Sequence, residues 1–224
     1  MNEVKYYFSC CSLQHLVTEG LRLTTKMAIS ICKNGKTLQK LNLDYLFVDN
    51  SIYSNNYPND SFEKIMKWCQ ELKEVDMNYI DAIEGFNYMD GDGGRTYDDI
   101  GVYHDLQYLV TNISPNVEKF NLSSNCIVDE QVEILLNRCN KLKTLSLKAK
   151  SITDVSLRNI GQYLNLTLEE LSLGPCEIRF TSCLELKSMP RLKILNLYCR
   201  EDLEKEIQNL RQHLPHLKIS RVLN

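Results

Sequence analysis

Glycine and proline are scarce in this sequence, which has 9 and 5 of them among 224 residues. Collagen-like and low-complexity disordered chains contain far more of both, so the sequence belongs to neither class. It also lacks any uninterrupted apolar run near the roughly 18 residues that a membrane-spanning helix needs. The first nine residues carry Glu3 and Lys5, without the apolar stretch of a secretory signal. We therefore expect a soluble cytoplasmic or nuclear protein, with a secreted effector as the alternative.

An excess of basic residues is absent as well. The chain has 26 Lys and Arg against 29 Asp and Glu, a formal net charge of −3. Proteins held on nucleic acid or on an anionic membrane are typically basic, so we expect neither of them as a partner. The charge is uneven along the chain, because residues 1–139 carry a net −8 and residues 140–224 a net +5.

The pattern L-x-x-L-x-L, with conservative replacements, recurs along the whole sequence. Its copies begin at residues 13, 38, 72, 117, 142, 168, 192 and 217, at spacings of 25, 34, 45, 25, 26, 24 and 25 residues. Five of the seven spacings lie within one residue of 25. A fixed period of this length indicates a leucine-rich repeat.

Each copy combines two hydrophobic periods. Alternate residues such as Leu145 and Leu147 predict a strand with one buried face, and apolar residues at helical spacing follow it. Asp129 and Thr153 are the predicted N-caps of two of these helices. One unit cannot bury its own apolar faces, so the units must stack. We predict an α/β leucine-rich-repeat solenoid, with a concave parallel sheet and helices on the convex side. It forms a single domain over residues 1–224, with about seven to eight repeats.

The two long spacings predict insertions near residues 49–60 and 81–100. We expect the first to be an exposed loop, and the second to cover a rim of the solenoid or to contact a partner. The second insertion contains Asp90 and Asp92. A calcium loop that began at Asp90 would need glycine at position 95 and glutamate at position 101, and the sequence has Arg95 and Gly101. We therefore expect no metal site.

The nine cysteines follow the repeats. Cys10, Cys69 and Cys139 each precede the first leucine of a unit by three residues, and no C-x-x-C pair suggests zinc. A small, soft side chain suits the junction between a helix and a strand. We expect buried, reduced thiols, with disulfides or reactive thiols as the alternative.

Several stretches resemble the cysteine-containing repeats of F-box proteins, which are related to the ribonuclease-inhibitor-like solenoids. These stretches are CSLQHLVTEGLRL (11–23), CNKLKTLSL (139–147), PRLKILNL (190–197) and LRQHLPHLKI (210–219). The resemblance implies the substrate-recognition subunit of a cullin-RING ubiquitin ligase. Only ten residues precede Cys11, too few for the F-box itself. The resemblance therefore implies a Skp adaptor and a cullin as partners only if an F-box lies upstream.

A protein target is expected on the concave face or on the rim loops. Asp44, Glu74 and Asp76 on neighbouring strands predict an exposed acidic strip, and tyrosines at strand ends can add contact area. These side chains can equally be solvated charges or pack the turns. The candidate partner-binding residues are Asp44, Tyr45, Glu74, Asp76, Asn78, Tyr79, Lys119, Asn121, Lys148, Asn196 and Tyr198.

Catalytic motifs are missing. None of the four histidines (His15, His104, His213 and His216) belongs to a recognisable nucleophile motif, and no glycine-rich phosphate loop is present. We therefore predict a non-catalytic binding module without a cofactor. Two alternatives stay open: a standalone repeat protein that sequesters a partner, and a cysteine-dependent enzyme.

Overall fold

The computed structural model describes residues 12–18, 22–23, 25–43, 47–48, 61–78, 106–124, 127–174, 178, 180–198 and 204–222. Both predicted insertions, 49–60 and 81–100, lie entirely outside them.

Eight of the ten strands in these ranges form one parallel sheet, in which each strand pairs with that of the next repeat. Each of the eight falls on the L-x-L part of one predicted unit. A separate pair joins β2 (Arg22–Leu23) to β4 (Phe47–Val48). The strands of the large sheet, in spatial order, are β1 (His15–Val17), β3 (Lys40–Asn42), β5 (Glu74–Met77), β6 (Lys119–Ser123), β7 (Thr144–Lys148), β8 (Glu170–Leu173), β9 (Ile194–Tyr198) and β10 (Lys218–Val222).

Helices connect these strands and pack against one another along the stack. One connection, Phe180–Ser188, is a 3-10 helix, in a repeat of only 24 residues. A 3-10 helix rises about 2.0 Å per residue instead of 1.5 Å, so it covers the same length with fewer residues. Within the described chain, no helix has both the length and the apolarity to cross a bilayer. The α-helices are α1 (Thr25–Lys33), α2 (Ser61–Trp68), α3 (106–112), α4 (Asp129–Arg138), α5 (Asp154–Tyr163) and α6 (Glu204–His213).

The parallel register stacks equivalent side chains from repeat to repeat. Leu145 lies opposite Phe120 on one side and Leu171 on the other, and all three are fully buried. The residues between them alternate to the opposite face, where they are half-buried. This alternation confirms the predicted α/β leucine-rich-repeat solenoid, because the leucines form one continuous core beneath the sheet.

A line of buried polar contacts joins successive repeats where helix returns to strand. The Ser114 hydroxyl donates to the Gln70 carbonyl at 2.6 Å, and the Cys139 thiol donates to the Ser114 carbonyl at 3.4 Å. Cys69 and Cys139 are fully buried, and burial raises the pKa of each thiol to about 12. These two cysteines are buried free thiols, as the repeat pattern predicts. Cys10 lies outside the described residues.

The two predicted helix caps differ in outcome. Thr153 caps α5, because its hydroxyl accepts a hydrogen bond from the Val155 amide at 3.2 Å. The prediction that Asp129 caps its own helix is wrong: Asp129 is the first helical residue of α4, and Val128 holds the cap position. Its carboxylate instead accepts hydrogen bonds from Thr153 and Ser156, at the beginning of α5 in the next repeat.

Candidate functional site

The outward residues of the large sheet form parallel rows that run across the strands. Side chains two residues apart on one strand point to the same face, and the parallel register aligns them with their neighbours. The first row contains His15, Lys40, Glu74, Lys119, Thr144, Glu170, Ile194 and Lys218; the middle row contains Val17, Asn42, Asp76, Asn121, Ser146, Ser172, Asn196 and Ser220.

Charges at the beginning of the strands are paired between repeats. In the first row Lys40 contacts Glu74 at 2.9 Å, and this hydrogen bond lowers the pKa of the Glu74 carboxyl and raises that of Lys40. Just ahead of the strands, two further pairs each have an N···O distance of 2.6 Å: Glu118 with Lys143, and Glu169 with Lys193. These charges are already compensated within the protein.

Asp76 is held by two amides of the same face. Asn78 donates to its Oδ1 at 2.5 Å and Asn121 donates to its Oδ2 at 3.0 Å. Asp76 is half-buried, whereas the sequence predicts an exposed carboxylate. Since Glu74 is paired with Lys40, both described members of the predicted acidic strip bind other residues of the chain. The third, Asp44, lies outside the described residues.

A depression of about 300 Å³ lies in the middle of the outward face of the large sheet, over β6, β7 and β8. We call it the trough. Its middle is occupied by short hydroxyl side chains, and longer side chains stand around them. The lining residues are Asn78, Lys119, Asn121, Thr144, Ser146, Lys148, Glu170 and Ser172.

Two lysines flank the trough diagonally. Lys119 begins β6 and Lys148 ends β7, the adjacent strand. Residue Ser123 of β6 lies opposite Lys148, so the two lysines are offset by four residues along the strands, or about 13 Å. Neither lysine forms an ion pair within the described ranges, in contrast to Lys40, Lys143 and Lys193.

Lys148 reaches over the end of β8 to an aromatic ring. Its ammonium nitrogen lies 4.9 Å from the centre of the Tyr198 ring, a cation–π contact. Gly174 follows β8 directly, level with Tyr198 on one side and Lys148 on the other. A Cβ on Gly174 would lie 2.5 Å from the Tyr198 Cβ and 2.6 Å from its carbonyl oxygen. Only glycine therefore lets Tyr198 approach closely enough to make this contact.

The hydroxyls in the middle of the trough have spare hydrogen-bonding capacity. Ser172 accepts a hydrogen bond from the Asn196 amide at 3.0 Å, so its own hydrogen is available for donation. Thr144 and Ser146 make no side-chain hydrogen bond in the described chain. The trough thus offers two ammonium groups and three hydroxyls, against the single carboxylate of Glu170. No three His, Cys, Asp or Glu side chains converge as metal ligands anywhere in the described ranges.

The structure brings four predicted site residues together around the trough: Asn78, Lys119, Asn121 and Lys148. Asn196 and Tyr198 contact the trough residues Ser172 and Lys148, and Glu74 and Asp76 lie on the strand beside it. Tyr45 and Tyr79 lie outside the described residues, as Asp44 does.

The other four lining residues are not among the predicted site residues; they are Thr144, Ser146, Glu170 and Ser172. They occupy outward positions of the repeat, as the alternation predicts. Combining that alternation with the parallel register would have placed their small hydroxyls between the two lysines.

No protein-family model matches the sequence. Among solved structures, the chain is similar to a chain of the complex of Rad7 and Elc1 from yeast, with 14% sequence identity and a TM-score of 0.44. The match covers 86% of this chain and 52% of the other, so the chain spans about half the length of the protein that it matches.

Proposed function

We propose that this chain is a protein-binding module that holds a target on its concave face, and that it serves as the substrate-recognition part of an F-box-type ubiquitin-ligase receptor. The trough supports the binding role, since its lysines and hydroxyls face solvent on a rigid sheet. The ligase assignment rests on the repeats at 11–23, 139–147, 190–197 and 210–219, which resemble those of F-box proteins; the first and the last of them look most similar to the S-phase kinase-associated F-box protein. Ubiquitin transfer would belong to partner subunits.

The shape of the concave face favours a protein ligand over a small molecule. Small-molecule sites are concave, mostly apolar and enclose most of the ligand, whereas the lining of the trough is polar. Eight strands spaced about 4.8 Å apart give a face about 34 Å long, which suits a protein surface or an extended segment.

A photo-crosslinking amino acid at position 146, in the middle of the trough, tests this proposal. We expect Ser146 replaced by p-benzoylphenylalanine to give discrete protein adducts on irradiation in cell extract, identified by mass spectrometry. The matched control carries the same group at exposed Arg158, on the convex helix α5 of the same repeat. Adducts that are equally abundant from both positions, or absent from position 146, would contradict binding on the concave face.

The alternative is a standalone repeat protein that sequesters its partner without an F-box. This alternative also predicts a target on the concave face, but it predicts different partners for the natural gene product. Co-purification of that product with a Skp adaptor and a cullin supports the ligase role. Adducts at position 146 without the adaptor favour sequestration.

A cysteine-dependent enzyme is the remaining alternative, and native-state alkylation tests it. We expect Cys69 and Cys139 to react with iodoacetamide only after unfolding, because a pKa of about 12 lowers the thiolate fraction about a thousandfold relative to a pKa of 9.0. Mass spectrometry of the native and urea-treated protein measures each site. Rapid native alkylation of either thiol, or of one among the remaining cysteines, would instead favour the enzyme.

A further inference from the structure

We infer that the trough binds an extended, acidic segment of the target protein, whose carboxylates pair with Lys119 and Lys148. This inference deepens the proposed function and rests on it. The charges, the hydroxyls and the spacing of the side chains in the trough all favour such a ligand.

The lysines in and around the trough differ in whether a carboxylate pairs with them. The lysines at the beginning of the strands around the trough are compensated by Glu74, Glu118 and Glu169, at N···O distances of 2.6 to 2.9 Å. Lys119 and Lys148 lie closer to the middle of the same face and have no such partner in the described chain. An incoming carboxylate could therefore pair with either lysine without breaking an ion pair within the protein.

The hydroxyls of the trough can act as hydrogen-bond donors to a ligand. Thr144, Ser146 and Ser172 present hydroxyls between the lysines, and the Ser172 oxygen already accepts from Asn196. The Ser172 hydroxyl can therefore donate to a carbonyl or carboxylate oxygen of a ligand, and the Thr144 and Ser146 hydroxyls can donate in the same way. The cation–π contact with Tyr198 holds the Lys148 side chain in place across the end of β8.

The spacing of Lys119 and Lys148 matches that of side chains in an extended chain. The offset of about 13 Å between Lys119 and Lys148 along the strands equals four residues of extended chain. Residues i and i+4 of an extended segment point to the same side, so two acidic side chains at that spacing can each meet one lysine. A single phosphate group would instead require both ammonium groups to converge on one point. The geometry therefore favours two separate carboxylates, and Glu170 at the beginning of β8 disfavours a third beside Thr144.

Selection from a random dodecapeptide library displayed on phage tests this inference. We expect the wild-type protein to enrich peptides with two Asp or Glu residues four positions apart. Synthetic copies of the selected peptides, labelled with fluorescein, should bind about tenfold more weakly to the Lys119→Gln, Lys148→Gln double variant. The control variant, Lys36→Gln with Lys205→Gln, makes the same change in net charge at exposed positions outside the trough and should lose less than twofold.

The outcomes separate this inference from the proposed function. Peptides without acidic enrichment, no enriched peptides, or equal weakening by the two double variants would each overturn it. The proposed function would survive these results if position 146 still forms adducts. A last comparison uses synthetic copies of the selected peptides that carry one phosphoserine in place of the two acidic residues. Binding of these copies more than tenfold tighter would also overturn the carboxylate assignment.

Discussion

The Asp129→Ala variant is expected to lose about 3 kcal/mol of unfolding free energy at pH 7. Four donors bind the Asp129 carboxylate: the Thr153 amide at 3.0 Å and hydroxyl at 2.6 Å, and the Ser156 amide at 3.2 Å and hydroxyl at 2.5 Å. Hydrogen bonds to a charged acceptor contribute about 1.5–3 kcal/mol, and unpaired buried donors add a cost of their own. Urea denaturation followed by circular dichroism measures the loss.

Burial of the donors makes this loss large. Ser156 is fully buried, so without Asp129 its hydroxyl has no water to replace the carboxylate, while its amide keeps a hydrogen bond to the Thr153 carbonyl at 3.1 Å. The Thr153 hydroxyl also accepts from the Val155 amide, so Asp129 orients the cap of α5 as well. Since α4 and α5 belong to successive repeats, the substitution weakens the interface between two units of the stack.

The loss should depend on pH in one direction. Burial pushes the pKa of the Asp129 carboxyl up, but the hydrogen bonds from Ser156 and Thr153 outweigh it, so that the pKa lies below its ordinary value. A carboxyl whose pKa is lower in the folded than in the unfolded state stabilises the fold at pH values above its unfolded pKa, which is about 3.9. That contribution disappears as the pH falls through the folded pKa. The difference between wild type and Asp129→Ala should therefore shrink below about pH 4.

Two further variants distinguish this network from a general charge effect. Asp129→Asn keeps one acceptor oxygen and should lose about half as much, without the same dependence on pH. Glu130→Ala removes an exposed carboxylate from the same first turn of α4 and should cost less than about 1 kcal/mol. An Asp129→Ala protein as stable as Glu130→Ala would show that the four hydrogen bonds are not formed in solution.

The strands could be predicted from the sequence because each repeat encodes them locally. The L-x-L residues alternate between core and surface, and the period of 25 residues aligns Leu145 with Phe120 and Leu171. The buried position of Cys139 follows from the same period. Local alternation and a fixed period need no knowledge of distant residues.

The role of Asp129 could not be predicted in this way. A helix-start pattern indicates which residue lies near the cap, but the partners of Asp129 lie 24 and 27 residues further along the chain. They become neighbours only through the stacking of repeats. The same reason explains why Asp76, predicted as an exposed contact, is half-buried and bound to Asn121 of the next strand.

The trough was partly predictable. The repeat pattern predicts that Lys119 and Lys148 lie on the outward face, yet their lack of ion-pair partners depends on which neighbouring glutamates reach which lysines. Glu118 immediately precedes Lys119 in sequence but pairs with Lys143 in the next repeat. Pairing between strands, rather than adjacency in sequence, leaves the two lysines of the trough for a ligand.

The Gly174→Ala variant should lose about 3 kcal/mol of unfolding free energy, with the loss concentrated in the C-terminal repeats. Gly174 has a φ of +133°, a conformation that L side chains rarely adopt, and strain of this kind costs about 1–3 kcal/mol. The added methyl group would also lie 2.5 Å from the Tyr198 Cβ, and overpacking adds a similar cost. Urea denaturation measures the total, with Ser172→Ala on the same strand as the control.

Hydrogen exchange should locate where the Gly174→Ala variant is weakened. In a solenoid each repeat contacts only its neighbours, so a clash between Gly174 and Tyr198 acts on the pairing of β8 with β9. The amides of β9 and β10 should lose protection more than those of β6 and β7. Removing the Tyr198 side chain beyond Cα, in Gly174→Ala with Tyr198→Gly, should recover little, because the carbonyl oxygen of residue 198 still lies 2.6 Å from the new methyl position. Full recovery in that double variant, or uniform loss of protection, would contradict a backbone clash at this seam.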